Sequence, residues 1–238
     1  MTIFFCGDPH GQFTHIIRAV EKHRPAAVVL LGDQEAKRPL DQILAPIAEL
    51  TKIYWIAGNH DTDSEASHDH LFESGLKVRN IEGRVIDVEG VTIAGVGGVF
   101  RAKAVWDGIQ ASTFSPADYL RRCGAGNKWR GGLPLRHRSS IFPSTIAAYQ
   151  GMKVDVLVTH EAPDLHQYGN VALTNLAANL CAKRAFHGHH HQMIDYPGGV
   201  WRGVSLGGIV AMDTTTFDLS VIDQGLVSTK GFQYDDAA

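Results

Sequence analysis

Residues 1–5 form an apolar run that reads as a buried strand. The chain breaks that run at Gly7 and sets an acid and an imidazole, Asp8 and His10, two residues apart. In an extended segment, residues i and i+2 point the same way, so both side chains reach one place beyond the strand's end. A carboxylate and an imidazole aimed at one point suit a divalent transition metal. The pattern recurs along the chain. Residues 26–31 are continuously apolar and end in Gly32-Asp33, residues 53–57 end in Gly58-Asn59-His60-Asp61, and residues 154–158 end in Thr159-His160-Glu161. The stretch Gly188-His189-His190-His191 closes the series.

Between these runs the apolar spacing turns helical. Phe13, Ile16, Ile17 and Val20 share one face, as do Leu173, Leu176, Ala177 and Leu180. Leu40, Ile43, Leu44, Ile47 and Leu50 repeat likewise, with Pro46 expected to kink or break the helix. Strands alternating with helices imply right-handed βαβ units and a mainly parallel sheet. Ligands in such sheets lie outside the carboxyl ends of the strands, where Asp8, His10, Asp33, Asn59 and His60 would converge.

The middle of the chain differs. Residues 84–88 and 91–96 read as a hairpin turning at Glu89-Gly90. From Gly97 to about Met152 periodicity fades, although Ser115 as N-cap and Pro116 at the first position mark a helix start. Between Arg101 and Arg138 there are eight Lys or Arg against two acids, with Trp106 and Trp129 among them. Two readings stand: a solvated, charged insertion, or a cover over the site that attracts phosphate. Residues 200–206, 208–212 and 219–222 look like short strands, and residues 230–238 like a frayed tail.

Composition narrows the function classes. The 238 residues suggest one domain carrying a basic insertion at about 99–152. A net charge of −3 does not indicate nucleic acid by bulk attraction. No apolar run approaches the roughly 20 residues of a membrane span. Three cysteines, far apart and without a CxxC, fit reduced thiols in a cytoplasm. Oligomeric state is not legible.

Asp8-x-His10-Gly11, Gly32-Asp33, Gly58-Asn59-His60-Asp61, His160 and Gly188-His189-x-His191 stand in the order found in calcineurin-like metallophosphoesterases, which the chain resembles over residues 8–191. The resemblance implies an α/β fold, a four-layer αββα sandwich of two mixed β-sheets flanked by helices. It also implies two divalent ions. Asp8, His10 and His191 would hold the first, Asn59, His160 and His189 the second, and Asp33 would bridge them. Mixed oxygen and nitrogen ligands suit Mn, Fe, Zn or Co without selecting among them; Mn2+ is the expected ion, with Fe, Zn, Co and Ni as alternatives. Two ions roughly 3.5–4 Å apart can activate a shared water and clamp a phosphoryl group. By the same resemblance His60 would protonate the leaving oxygen and Asp61 would orient it. His190 fills the variable slot and should point away from the metals, and His187 reads as structural.

The chain departs from the Ser/Thr protein phosphatases of this superfamily. Those enzymes grip phosphate with arginines after the second motif and before the third, where this chain has Gln34-Glu35-Ala36 and Ile56-Ala57. Arg101, Arg121, Arg122 or Arg130 of the insertion would have to substitute. Hydrolysis of a small or nucleotide-like phosphomonoester or phosphodiester is the favoured reading. An unusual protein phosphatase is the alternative. A non-catalytic binding module on the same fold ranks last, because every ligand and His60 are present.

Overall fold

A computed structural model describes residues 1–102, 105–107 and 110–226. In chain order the strands are β1 (Thr2–Cys6), β2 (Ala27–Leu30), β3 (Lys52–Trp55), β4 (Val85–Val88), β5 (Val91–Val96), β6 (Trp106–Asp107), β7 (Gln110–Ala111), β8 (Val156–Thr159), β9 (Arg184–His187), β10 (Ile194–Asp195), β11 (Trp201–Gly203), β12 (Ile209–Asp213) and β13 (Leu219–Asp223). The α-helices are α1 (Thr14–His23), α2 (Leu40–Ile43), α3 (Glu65–Phe72), α4 (Pro116–Arg122), α5 (Pro143–Ala147) and α6 (Val171–Asn179). None of them is long and apolar enough to cross a membrane.

Two mixed sheets carry the fold. The first has the order β13-β12-β1-β2-β3, with β1, β2 and β3 parallel. The second has the order β10-β11-β9-β8-β5-β4, with β5, β8, β9 and β11 parallel. Side-chain alternation builds the layers. Ile3 and Phe5 of β1 face the second sheet, and Phe5 stacks on Phe186 with 3.8 Å between ring centroids. Phe4 and Cys6 face the other way, against Ile16 and Val20 of α1. On the second sheet's outer face, Leu173, Leu176 and Ala177 of α6 pack with Ala94, Val96 and Leu157. The result is the αββα sandwich. The near-unbroken apolar strands follow from burial on both faces.

The helical run from Leu40 breaks as Pro46 requires: α2 stops at Ile43 and a 3₁₀ turn follows at Ala45–Ile47. Ser115 caps α4 as its spacing predicts, its hydroxyl accepting from the Asp118 N–H at 3.2 Å. The hairpin turns on Glu89 (φ 53°) and Gly90 (φ 81°), the left-handed pair a tight two-residue turn needs. Residues 97–152 connect β5 to β8, which run parallel, so they leave from the rim where the ligand loops gather and cross to the opposite end of the sheet. The expected frayed tail at 230–238 lies outside the described residues, as does Lys103.

Candidate metal centre

The first three ligand loops leave the parallel ends of β1, β2 and β3, and the last two leave β8 and β9. Backbone bonds tie neighbouring loops together. The His10 N–H donates to the Asp33 carbonyl (3.0 Å) and the Gly11 N–H to the Gln34 carbonyl (2.8 Å). Five of the seven expected ligands hold positive φ: Asp8 31°, His10 42°, Asp33 49°, His189 64° and His191 54°. Left-handed backbone is costly for residues with a Cβ and persists where surrounding structure over-determines it, typically at functional sites. The glycines beside them explain part of that packing. A Cβ on Gly58 would lie 2.1 Å from Asp33 Oδ1, and one on Gly188 would lie 2.6 Å from Asp8 Oδ1. Each carboxylate sits against a backbone that only glycine permits.

All seven residues meet at one place. His10 Nε2 is 3.2 Å from His191 Nε2, and His191 Nε2 is 3.9 Å from Asp8 Oδ2. On the other side, His160 Nε2 is 3.2 Å from Asn59 Oδ1. Two donor groups stand out, His10–Asp33–His191 and Asp33–His160–His189, and Asp33 belongs to both. Its Oδ1 accepts the His60 N–H at 2.9 Å. Its Oδ2 lies 3.9 Å from His10 Nε2 and 3.4 Å from His160 Nε2, facing both groups.

These atoms fit metal ions on chemical grounds. Both Asp8 carboxylate oxygens are buried without a hydrogen-bond partner, an arrangement that costs several kcal/mol unless a cation compensates it. Burial pushes the Asp8 carboxyl up to about 8, against the pull of His160. His160 Nδ1–H donates to the Leu31 carbonyl at 2.8 Å, which turns Nε2 toward Asn59 and Asp33, where a bound ion would take the place of its proton. Burial also works against a proton on His160, yet Asp33 and Asp8 hold its pKa up at about 10. Burial brings His189 down to about 3 and His191 down to about 4, so both stay neutral donors.

His60 sits at the edge of this cluster, its ring centroid 5.7 Å from that of His10. The carboxylate that meets it is Asp63, not the expected Asp61. His60 Nδ1 is 2.6 Å from Asp63 Oδ2. His60–Thr62 is a 3₁₀ turn, in which residues i and i+3 share a face. Asp61 instead points inward. Its buried carboxylate accepts the Glu35 N–H (3.0 Å) and the Gly58 N–H (2.8 Å), which fastens the second ligand loop to the third. Burial opposes a charge on His60, but Asp33, Asp63 and Glu35 outweigh it and raise its pKa above the ordinary imidazole value. In the sequence Asp63 shows no signal beyond its three-residue spacing from His60, and Glu35, on another loop, shows none.

The four insertion arginines separate. Arg130 grips α3, its two terminal nitrogens on the two Asp69 oxygens (2.7 and 2.9 Å) and one also on Glu65 (3.2 Å). Arg121 pairs with Asp118 one turn away, and Arg122 donates to the Ser112 carbonyl. Arg121 and Arg122 are thus engaged within the insertion and Arg130 on α3, and no contact of theirs among the described residues reaches the donor cluster. Arg101 differs. It donates to Ser139 Oγ at 3.3 Å, and Ser139 Oγ lies 2.6 Å from Thr62 Oγ1 on the His60 turn. Its Nε is buried without a partner. Burial and Arg136 lower its pKa, while Asp63, Glu161 and Asp33 of the ligand rim support its charge.

His190 stacks on His166 with 4.0 Å between centroids, and it also forms a third donor group with Glu161 and the expected ligand His189. His187 is buried, with Nε2 2.9 Å from the Tyr196 hydroxyl.

Comparison with known proteins adds the lineage. Residues 1–193 match the family model described as calcineurin-like phosphoesterase. An uncharacterized protein of Haemophilus influenzae is 38% identical over 194 residues, covering 82% of this chain and 85% of that one. Among solved structures, TT1561 of Thermus thermophilus superposes with a TM-score of 0.62 at 13% identity, over 94% of this chain and 98% of that chain. A second crystal structure gives a TM-score of 0.61 at 12% identity, over 94% and 99%. At such identities the solved structures speak to the fold alone.

Proposed function

The chain belongs to the calcineurin-like phosphoesterase family, and on that premise we propose that it is a two-metal hydrolase of small phosphorylated substrates, mono- or diesters. The observation that carries this reading is Asp33 Oδ2, one oxygen turned toward two separate sets of imidazole nitrogens. A bridging carboxylate needs that geometry; a single-ion site does not. Asp8, His10 and His191 would hold one ion and Asn59, His160 and His189 the other, with Mn2+ the expected metal. When bound, the ions supply Lewis acidity to a water nucleophile and positive charge to the phosphoryl oxygens.

The chain's own residues would do the rest. His60, with Asp63 accepting from Nδ1–H, presents Nε2–H outward and protonates the departing oxygen. Arg101, anchored through Ser139 to the same turn, holds the phosphate where the family's protein phosphatases use arginines this chain lacks. The unpaired Cys6, Cys123 and Cys181 suit a reducing cytoplasm.

The test uses metal-stripped protein with Mn2+, Zn2+, Co2+, Ni2+ or Mg2+ added back, assayed on p-nitrophenyl phosphate and bis-p-nitrophenyl phosphate in parallel. Turnover returning with Mn2+, two ions per chain by elemental analysis, and loss of both in Asp33→Asn are the expected results. A chain that binds no transition metal would remove the proposal.

A further inference from the structure

Beside His10 lies a cavity of about 340 Å³. Its walls include Gln12, His15, Leu206, Asp223 and Leu226, with His10 itself forming one side. We propose that this cavity is the seat for the organic group of the substrate, and that the group is a nucleobase. The inference rests on the phosphoesterase reading above and deepens it.

Position is the first argument. His10 belongs both to the donor cluster and to the cavity wall, so the cavity adjoins the place where a phosphoryl group would sit. The wall is also rigidly indexed to the ligands. The Gly207 N–H donates to the carbonyls of Gly7 (2.9 Å) and Asp8 (3.2 Å), and the Leu226 N–H donates to the Leu206 carbonyl (2.8 Å). A ring seated there is held at a fixed distance from Asp8.

Chemistry is the second. Leu206 and Leu226 give apolar surface at the cavity wall. Asp223 adds a carboxylate acceptor. The His15 imidazole lies 3.6 Å from where a side chain on Gly207 would begin, and burial lowers its pKa against the pull of Asp223. A neutral imidazole offers one donor and one acceptor. A ligand matched to these walls has apolar faces and an edge that mixes N–H donors with ring-nitrogen or carbonyl acceptors. Nucleobases have that chemistry, and the volume is at the lower end of the roughly 300–1,000 Å³ of small-molecule sites.

The full chain, loaded with Mn2+, tests the assignment with matched substrates. Adenosine 5′-monophosphate is set against β-glycerophosphate for monoesters. Thymidine 5′-p-nitrophenyl phosphate is set against methyl p-nitrophenyl phosphate for diesters. Leu226→Trp fills the mouth from an exposed position, and Asp223→Asn alters the edge contact with little change of shape. In the pair that the parent turns over, the kcat/KM ratio of base-bearing to base-free substrate should fall at least about tenfold in Leu226→Trp. Adenosine alone, followed by saturation-transfer NMR, should bind the parent and lose its signal in the same variant. A ratio within about twofold of the parent, with an unaltered adenosine signal, overturns the base site while leaving the hydrolase intact. If the parent hydrolyses neither pair, the hydrolase reading fails, and adenosine binding then decides the cavity by itself.

Discussion

The ligand rim and the 97–152 segment both concentrate charged and aromatic residues, yet they are held in opposite ways. At the rim, backbone does the holding. Each ligand stands one to four residues past the end of a buried strand, five of the seven in left-handed conformations, with glycine backbones pressed against the Asp8 and Asp33 carboxylates. In the segment, side chains do the holding. Trp129 lies between Arg130 and Arg138, with guanidinium carbons 4.2 and 4.7 Å from its ring, and His68 of α3 meets it edge-on. Backbone-held groups keep their donor atoms aimed at a shared point. Side-chain-held groups satisfy one another and have little left to offer a substrate. Arg101 is where the two regimes touch.

The comparison is broken most severely at Asp33. Asp33→Asn retains size and the His60 N–H contact but removes the charge that faces both donor sets. We expect kcat to fall by about 10³-fold or more, with metal content below two ions per chain. If activity and metal content both survive, the rim is not a dinuclear centre. His60→Ala should cost about 10²- to 10⁴-fold in kcat with metal content unchanged, since His60 contributes a proton and not a ligand. Asp63→Asn should reproduce part of that loss and shift the basic limb of the pH–rate profile. Asp61→Asn should lower thermal stability instead, because both Asp61 oxygens accept buried backbone N–H groups. Reversed outcomes for the two aspartates would show that the turn is read wrongly.

Much of the rim was legible in the sequence because its information is local. A buried strand announces itself by an unbroken apolar run, and the residues just past its end have few places to go. Gly32-Asp33 after residues 26–31 is such a case. The second sheet was harder. β10 and β11 are short, and their partnership with β9 depends on chain folding that no periodicity records. The helix α3 was missed because only His68 and Leu71 of its eight residues are buried, too few for an apolar stripe. Asp63 was missed for a related reason. Whether residue 61 or 63 faces His60 depends on the turn being 3₁₀. The insertion misled most, because its charges looked available. Arg121 pairs locally with Asp118, but Arg130 finds its partner far off in sequence at Asp69, and composition cannot cancel charges across such distances.

Arg101 sharpens the comparison from the other side. It is an insertion residue tied to the rim, its guanidinium donating to Ser139 Oγ, which in turn meets Thr62 on the His60 turn. Removing a charge-assisted contact to phosphate raises KM or lowers kcat/KM by about 10- to 100-fold. Arg101→Ala should do so, and Arg101→Lys should recover little, because a single ammonium cannot copy a planar fork. Ser139→Ala, which loosens the anchor between Arg101 and Thr62, should show a smaller defect of the same kind. Equal kinetics in parent and Arg101→Ala would place the whole insertion outside phosphate binding.

Arg130 gives the smallest expected effect and the clearest control. It is exposed, its pairing with Asp69 and Glu65 is solvent-screened, and its loss should move the thermal midpoint by no more than about 2 °C, less in high salt. Small-substrate kinetics should stay near the parent's, in contrast to Arg101→Ala. The pH dependence has a definite sign. The Arg130 hydrogen bond holds the Asp69 pKa down at about 2, below its ordinary value near 4. A carboxylate depressed on folding contributes stability that is complete above its unfolded pKa and lost as pH falls through the folded one. The difference in midpoint between parent and Arg130→Ala should therefore be constant above about pH 5 and shrink between about pH 4 and 2. A difference that instead grows toward low pH would mean that Arg130 works against other cations of the segment, and that side-chain pairing is not what closes it onto α3.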